Sequence, residues 1–302
     1  MDDAERLAEQ LAERFEEHRA HLRAVAHRLL GSFGEADDAV QDTWLRLDRT
    51  GADGIDNLGG WLTTVVSRVC LNMLRSRSAR PQEALGVHLP DPVIGPDDAS
   101  GPEGQALLAD SVAMALFVVL DTLSPAQRLA FVLHDLFDLP FEEIAPMVDR
   151  SPAAARQLAS RARRRVRGTA TDGFAAPTEA ADPAVRRRVV DAFFAAARRG
   201  DFAALVALLD PDVVLRADGG ATRPEMSVVL HGSAAVARRA LLFTQPAAVI
   251  SPVLVNGDTG VIVTAGGRRV SVMGFAVAAG RIAAIHALVD PERLARLNQL
   301  AR

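Results

Sequence analysis

Residues 123 to 166 read LSPAQRLAFVLHDLFDLPFEEIAPMVDRSPAAARQLASRARRRV, and this stretch decides the fold of the middle of the chain. Phe141 to Val148 carries helical spacing, Asp149, Arg150 and Ser151 form a turn, and Ser151 with Pro152 supplies the N-cap and first-position signals of a second helix. On that second helix Ala155, Leu158, Ala159, Ala162 and Val166 make the buried stripe. Ala154, Gln157, Arg161 and Arg164 face away, flanked by Arg156 and Arg163. Two helices joined by so short a turn, the second small and cationic on its outer face, form a helix-turn-helix with a recognition helix. Pro146 lies inside the first helix and should kink or shorten it.

Charge is distributed to match. The 302 residues carry a net charge of −4, yet residues 1–60 hold 14 acids against 7 arginines and residues 183–302 hold 9 acids against 15 arginines. Residues 150–170 contain seven arginines and no acid, and residues 61–82 contain four arginines (Arg68, Arg75, Arg77, Arg80) and no acid. Each of these two stretches has the electrostatic footprint of a polyanion site. Lysine is absent, so every formal positive side-chain charge is a guanidinium.

Two segments rich in Pro, Gly and Asp, 81–104 and 169–182, read as linkers and divide the chain into residues 1–80, 105–168 and 183–302. The first piece is helical. In 36–47, Val40, Thr43, Trp44 and Leu47 face inward, leaving Asp37, Asp38, Gln41 and Asp42 as an acidic surface. A helix from Trp61 to about Arg77 sets an apolar seam of Leu62, Val65, Val66, Val69 and Met73 against a polar face of Thr64, Arg68, Asn72 and Arg75. The second piece reads as four helices. The third opens with a helix from Pro183 to Arg199, ended by Gly200, and passes into strands separated by Gly-containing turns, among them Asn256-Gly257, before a short amphipathic helix over 292–300. Helices followed by a curled antiparallel sheet make an α+β cone.

Composition excludes several classes. No apolar run reaches the length of about 18 residues that a membrane span needs, and the N-terminus lacks a signal-peptide pattern, so a cytoplasmic protein without membrane contact is expected. The single cysteine, Cys70, excludes a disulfide framework and a thiolate zinc site within one chain. The scattered histidines complete no metal site, so neither metal nor cofactor is expected.

With these residues in hand, ADDAVQDTWLRL (36–47) and WLTTVVSRVCLNMLRSRSAR (61–80) resemble region two of an extracytoplasmic-function (ECF) RNA polymerase sigma factor, and 123–166 resembles sigma region four. The third piece resembles a SnoaL-like domain of the nuclear-transport-factor superfamily, and the three together resemble sigma factors of the SigJ type. The resemblance implies a multidomain fold: two all-α sigma domains, a helical bundle and a helix-turn-helix, followed by a SnoaL-like cone. It implies binding to core RNA polymerase, at the largest-subunit coiled-coil and the flap, with Asp37, Asp38, Gln41, Asp42 and Trp44 as polymerase-binding residues on the helix that docks on the coiled-coil. It implies minus-ten contacts by Asn57, Trp61, Arg68, Asn72 and Arg75, and minus-thirty-five contacts by Ala154, Arg156, Gln157, Arg161 and Arg164. The cone is expected to contact the sigma domains and control them in cis. HLPDP (88–92), RADGGATRP (216–224) and VDPERL (289–294) depart from the family's control motifs.

A competing reading is a helical DNA-binding regulator whose cone senses a small ligand or keeps isomerase- or cyclase-type catalysis. Its candidate bases are Asp218, His231, Asp258 and His286. No carboxylate partner for a histidine is assignable from sequence, so a protein without catalytic residues is the primary expectation.

Overall fold

A computed structural model describes residues 3–52, 54–79, 87–97, 116, 119–169, 182–243 and 247–300. They belong to two compact units: residues 1–82 with 120–166, and residues 83–119 with 167–302.

In the first unit α1 (Asp3–Leu30), α2 (Phe33–Thr50) and α3 (Leu58–Ala79) pack on one another around Leu22, Val25, Leu29, Ala36, Val40, Leu47, Leu62 and Val66. Ser32 caps α2 by accepting the Glu35 N–H, and Asn57 Oδ1 accepts the Gly60 N–H at 3.0 Å at the start of α3. The buried arc of α3 is wider than the expected seam. Val65 and Met73 are only half-buried, whereas Ser67 and Leu71 are buried, because α3 packs on two sides, against α1 and α2 and against α4 (Pro125–Phe131). Helix α4 begins with a Ser124/Gln127 capping box and runs into a π-helical turn, Val132–Leu136.

Pro146 acts as expected. Helix α5 lasts four residues (Phe141–Ile144) and tightens into the 3-10 turn Ala145–Met147. Asp149 takes the left-handed conformation (φ 55°) that lets the chain reverse into α6 (Pro152–Thr169). Ser151 Oγ accepts the Ala154 N–H at 3.3 Å, and the buried side of α6 is Ala155, Ala159 and Ala162. Three alanines seat the helix close to its neighbours and leave its arginines outside. Most of the expected helical sequence before Leu123 lies outside the described residues.

The second unit contains α7 (Pro183–Arg199), α8 (Phe202–Leu208), α9 (Ser233–Leu242) and α10 (Pro291–Leu300) with a seven-stranded sheet. The strands are β1 (Ile94–Pro96), β2 (Leu209–Asp218), β3 (Val228–His231), β4 (Val249–Val255), β5 (Asp258–Ala265), β6 (Arg268–Ala278) and β7 (Arg281–Leu288), in the order β1-β4-β5-β6-β7-β2-β3. Asp182 and the left-handed Gly200 delimit α7 as the sequence suggests. Phe193, Phe194 and Phe275 meet edge to face in the core formed with Leu205, Leu215, Val236 and Ile285.

Two expectations are corrected. The sheet is not wholly antiparallel: β2 and β7 run parallel, Arg216 opposite His286, since a long crossover, unlike a hairpin, leaves strand direction open. The segment expected to be a linker also contributes a strand. Residues 94–96 form β1, which pairs antiparallel with β4 (Ile94 with Val255, Pro96 with Val253) and covers a sheet edge that would otherwise display unpaired backbone groups. Pro96 fits there because an outermost strand does not use every N–H.

Candidate nucleic-acid interface

Helix α3 brings the expected minus-ten residues to one side. Arg68, Asn72 and Arg75 are exposed, Trp61 and Thr64 are half-buried, and all fall within one arc of the helix opposite Leu62, Val66 and Cys70. Asn57 is exposed and caps this helix, so its carbonyl oxygen is committed to Gly60. Arg68 Nη2 donates to the Pro146 carbonyl at 3.0 Å. Burial of Cys70 pushes its thiol up, away from thiolate chemistry.

Helix α6 brings the second set together. Arg156, Gln157, Arg161 and Arg164 are exposed and Ala154 is half-buried. Arg156 lies over the Phe141 ring at 5.2 Å, which orients its guanidinium, and Arg163 is engaged by Asp135 at 2.6 Å, leaving Arg161 and Arg164 as outward cations.

The proposed polymerase face is less uniform than the sequence implies. Asp38 and Gln41 are exposed, but Asp37 accepts Arg23 Nε at 2.6 Å and Asp42 accepts Arg46 at 2.9 Å. Trp44 packs on Phe15 with ring centroids 5.1 Å apart, so it braces α2 against α1. Leu45, 44 % exposed and at i+7 from Asp38, was not singled out by the sequence reading. An apolar residue on a face read as acidic is the signal that marks it.

Within this unit the helix-turn-helix folds back on the three-helix bundle. Phe137 meets the His21 ring edge-on at 5.6 Å and lies 4.7 Å beneath the Arg28 guanidinium. Arg128, 3 % exposed, pairs with Asp121 where α4 packs on α3.

The second unit holds a site that no single motif reveals. Arg293, from VDPERL, donates Nε to Asp91 at 2.6 Å, Nη1 to Asp218 at 2.7 Å and Nη2 to the Leu89 carbonyl at 2.5 Å. Asp218 also accepts the Leu89 N–H at 2.7 Å and the Gly220 N–H at 2.9 Å. Asn256, held at φ 51° in the hairpin turn, exchanges two hydrogen bonds with Val93 at 2.7 and 2.8 Å. Arg187 reaches Asp97 and the carbonyls of Gly260 and Val253. Residues 88–97 are thus gripped along their length, and the three motifs that depart from the family pattern meet at Arg293.

The four residues of the enzyme reading lie in different surroundings. Asp218 is committed to Arg293 and backbone donors, His231 is exposed at a strand end, and Asp258, 3.9 Å from Arg186, has its carboxyl pushed up by burial. His286 is buried, and it alternates with Ile285, which faces the helical core, so it occupies the opposite sheet face. Burial, reinforced by Arg216, pushes its imidazole down to about 3, leaving it neutral. Among the described residues no group of three or more His, Cys, Asp or Glu is placed to hold a metal, and no helix is long and apolar enough to cross a membrane.

Residues 14–80 match Sigma-70 region 2, residues 113–166 match Sigma-70 region 4, and residues 190–288 match the SnoaL-like domain. The chain is 41 % identical over 276 residues to the ECF RNA polymerase sigma factor SigJ of Mycobacterium tuberculosis strain H37Rv, covering 90 % of this chain and 86 % of that protein. The chain belongs to the ECF RNA polymerase sigma factors. This sigma factor is also 36 % identical to the probable ECF sigma factor SigI of M. tuberculosis strain CDC 1551, covering 92 % of each. The crystal structure of M. tuberculosis SigJ superposes with a TM-score of 0.68 at 35 % identity, covering 94 % of this sigma factor and 98 % of that chain. The sigma factor therefore combines helical regions two and four with a SnoaL-like domain, and its family works by directing RNA polymerase to promoters.

Proposed function

We propose that this sigma factor binds core RNA polymerase through α2, reads the minus-ten element with the outer arc of α3 and the minus-thirty-five element with α6, and is controlled in cis by its SnoaL-like domain through residues 88–97. The supporting observation is that two helices each present an exposed cationic face with no acid in the same helix, the arrangement that neutralises phosphates while small and polar residues approach bases. Asp38, Gln41 and Leu45 provide a mixed acidic and apolar surface suited to a basic protein partner.

Geometry adds a requirement. The two promoter elements are about 25 base pairs apart, or about 85 Å at ~3.4 Å per pair. Arg68 on α3 touches Pro146, only a few residues before α6, so unit 1 must open for both helices to reach their elements. The segment that joins its two halves is the one gripped by Arg293, Asn256 and Arg187, which supports control of that opening by the SnoaL-like domain. Footprinting the holoenzyme on a two-element promoter tests the assignment. Arg75→Ala is expected to weaken protection and melting at the minus-ten element and leave contacts at the upstream element, whereas uniform loss at both elements argues against separate readers.

A further inference from the structure

Arg128 is the least comfortable charge among the described residues. It is 3 % exposed, its Nη1 donates to Asp121, and its Nε and Nη2 have no hydrogen-bond partner. A second guanidinium, Arg77 on α3, is close enough to repel it, although Arg77 itself is anchored by Glu35 and the Leu30 carbonyl. Burial drives the Arg128 pKa below its ordinary value more strongly than Asp121 raises it. A buried guanidinium with two unsatisfied nitrogens opposes the packing that buries it, and opening α4 from α3 would return those donors to water.

We propose that Arg128 is a built-in counterweight that weakens the packing of the helix-turn-helix on α3, keeping unit 1 poised to release its two DNA-reading helices. This rests on the reading that unit 1 opens to engage a promoter. Phe137, clasped by His21 and Arg28, acts in the opposite sense by holding the closed form, and the two together leave the closed state marginal. Asp121 limits the penalty by supplying the counter-charge, so Arg128 and Asp121 should shift the equilibrium in opposite directions when each is neutralised.

The experiment uses the full chain with fluorophores on cysteines introduced at the exposed Ser76 of α3 and Ser160 of α6. Native Cys70 is buried with its thiol pushed up, so it stays unlabelled. Energy transfer is read in the free protein and after adding core polymerase and promoter. Arg128→Met keeps the side-chain volume and removes the charge; the carboxylate it leaves behind, Asp121, is 32 % exposed and stays hydrated, unlike a partner buried on both sides, so the substitution should raise the closed-to-open ratio of the free chain about tenfold. Asp121→Asn should lower that ratio about tenfold or more.

No change in the ratio with Arg128→Met, or movement of both variants in one direction, overturns the proposal and leaves Arg128 a plain structural pair. If Asp121→Asn loses its helical circular dichroism, Arg128→Met alone decides. Failure of the labelled wild type to separate on polymerase and promoter refutes the opening reading instead, and that outcome is distinct because the Arg128 effect is measured without polymerase.

Discussion

Replacing Arg293 by Met should release the front of the inter-region segment while leaving its rear in place. The perturbation keeps the aliphatic stem and removes a guanidinium that spans Asp91, Asp218 and the Leu89 carbonyl. Asp218 is 1 % exposed and Asp91 6 %, so both carboxylates lose a cation in a poorly hydrated setting. Breaking a buried ion pair from one side costs about 3–5 kcal/mol, which at ~1.4 kcal/mol per decade is a factor of about 100 to 1,000 or more in the local docking equilibrium. The Val93–Asn256 hydrogen bonds, the β1–β4 ladder and Arg187 with Asp97 are untouched, so the release should stop near residue 92. Amide hydrogen exchange measures this directly, because the Leu89 N–H donates to Asp218. Leu89 exchange should accelerate about a hundredfold or more, and Val93 exchange, held by Asn256 Oδ1, by less than about tenfold. Unchanged Leu89 exchange refutes the claim that Arg293 holds the segment. Equal acceleration across β2, β6 and β7 refutes the claim that its role is local.

Three further outcomes are expected. His286 is neutral with a pKa of about 3 in the folded chain and near 6.5 when unfolded, so the unfolded state takes up the proton first; stability should fall as pH drops from 6.5 toward 3, by roughly 1.4 kcal/mol per unit. Urea unfolding across that range should show a shallower loss for His286→Gln, and parallel curves for the two proteins contradict the assignment. Arg161→Ala should weaken protection of the minus-thirty-five element and reduce the slope of log affinity against log salt by about 0.9, whereas equal footprints and slopes contradict a DNA contact. Gly220→Ala meets both a positive φ of 61° and a Cβ position 1.8 Å from Asp290 Oδ2, and Asp290 caps α10. A loss of at least about 2 kcal/mol in thermal unfolding should follow, and an unchanged Tm contradicts it.

Local signals made most of the elements legible. Ser151-Pro152, Asp182-Pro183, Gly200 and Asn256-Gly257 each act within a few residues, and their elements stand where those residues suggest. The cationic faces of α3 and α6 were legible because helical periodicity alone sorts inside from outside. The grip on residues 88–97 was not, since Asp91, Asp218 and Arg293 are scattered along the chain and a β1–β4 pairing depends on an unpaired edge that exists only after folding. The second packed side of α3 has no local signal for a related reason: Ser67 and Leu71 are covered by a helix from another region, and periodicity reports how a helix is buried without naming its partner. The contacts of Trp44 with Phe15 and of Asp37 with Arg23 were not legible either, because those neighbours come from α1.

We propose that this sigma factor directs polymerase to a two-part promoter under the control of its own SnoaL-like domain. In vitro transcription from a genomic promoter pool, with core polymerase alone, with the full chain, and with a version ending at Ala175, tests it most directly. Transcripts starting downstream of a shared two-part motif should appear only when the protein is present, and the shortened version should use the same motif at a different level, because α3 and α6 lie upstream of the cut. Absence of motif-dependent transcripts and of polymerase binding from both forms would show that the protein does not direct polymerase to promoters.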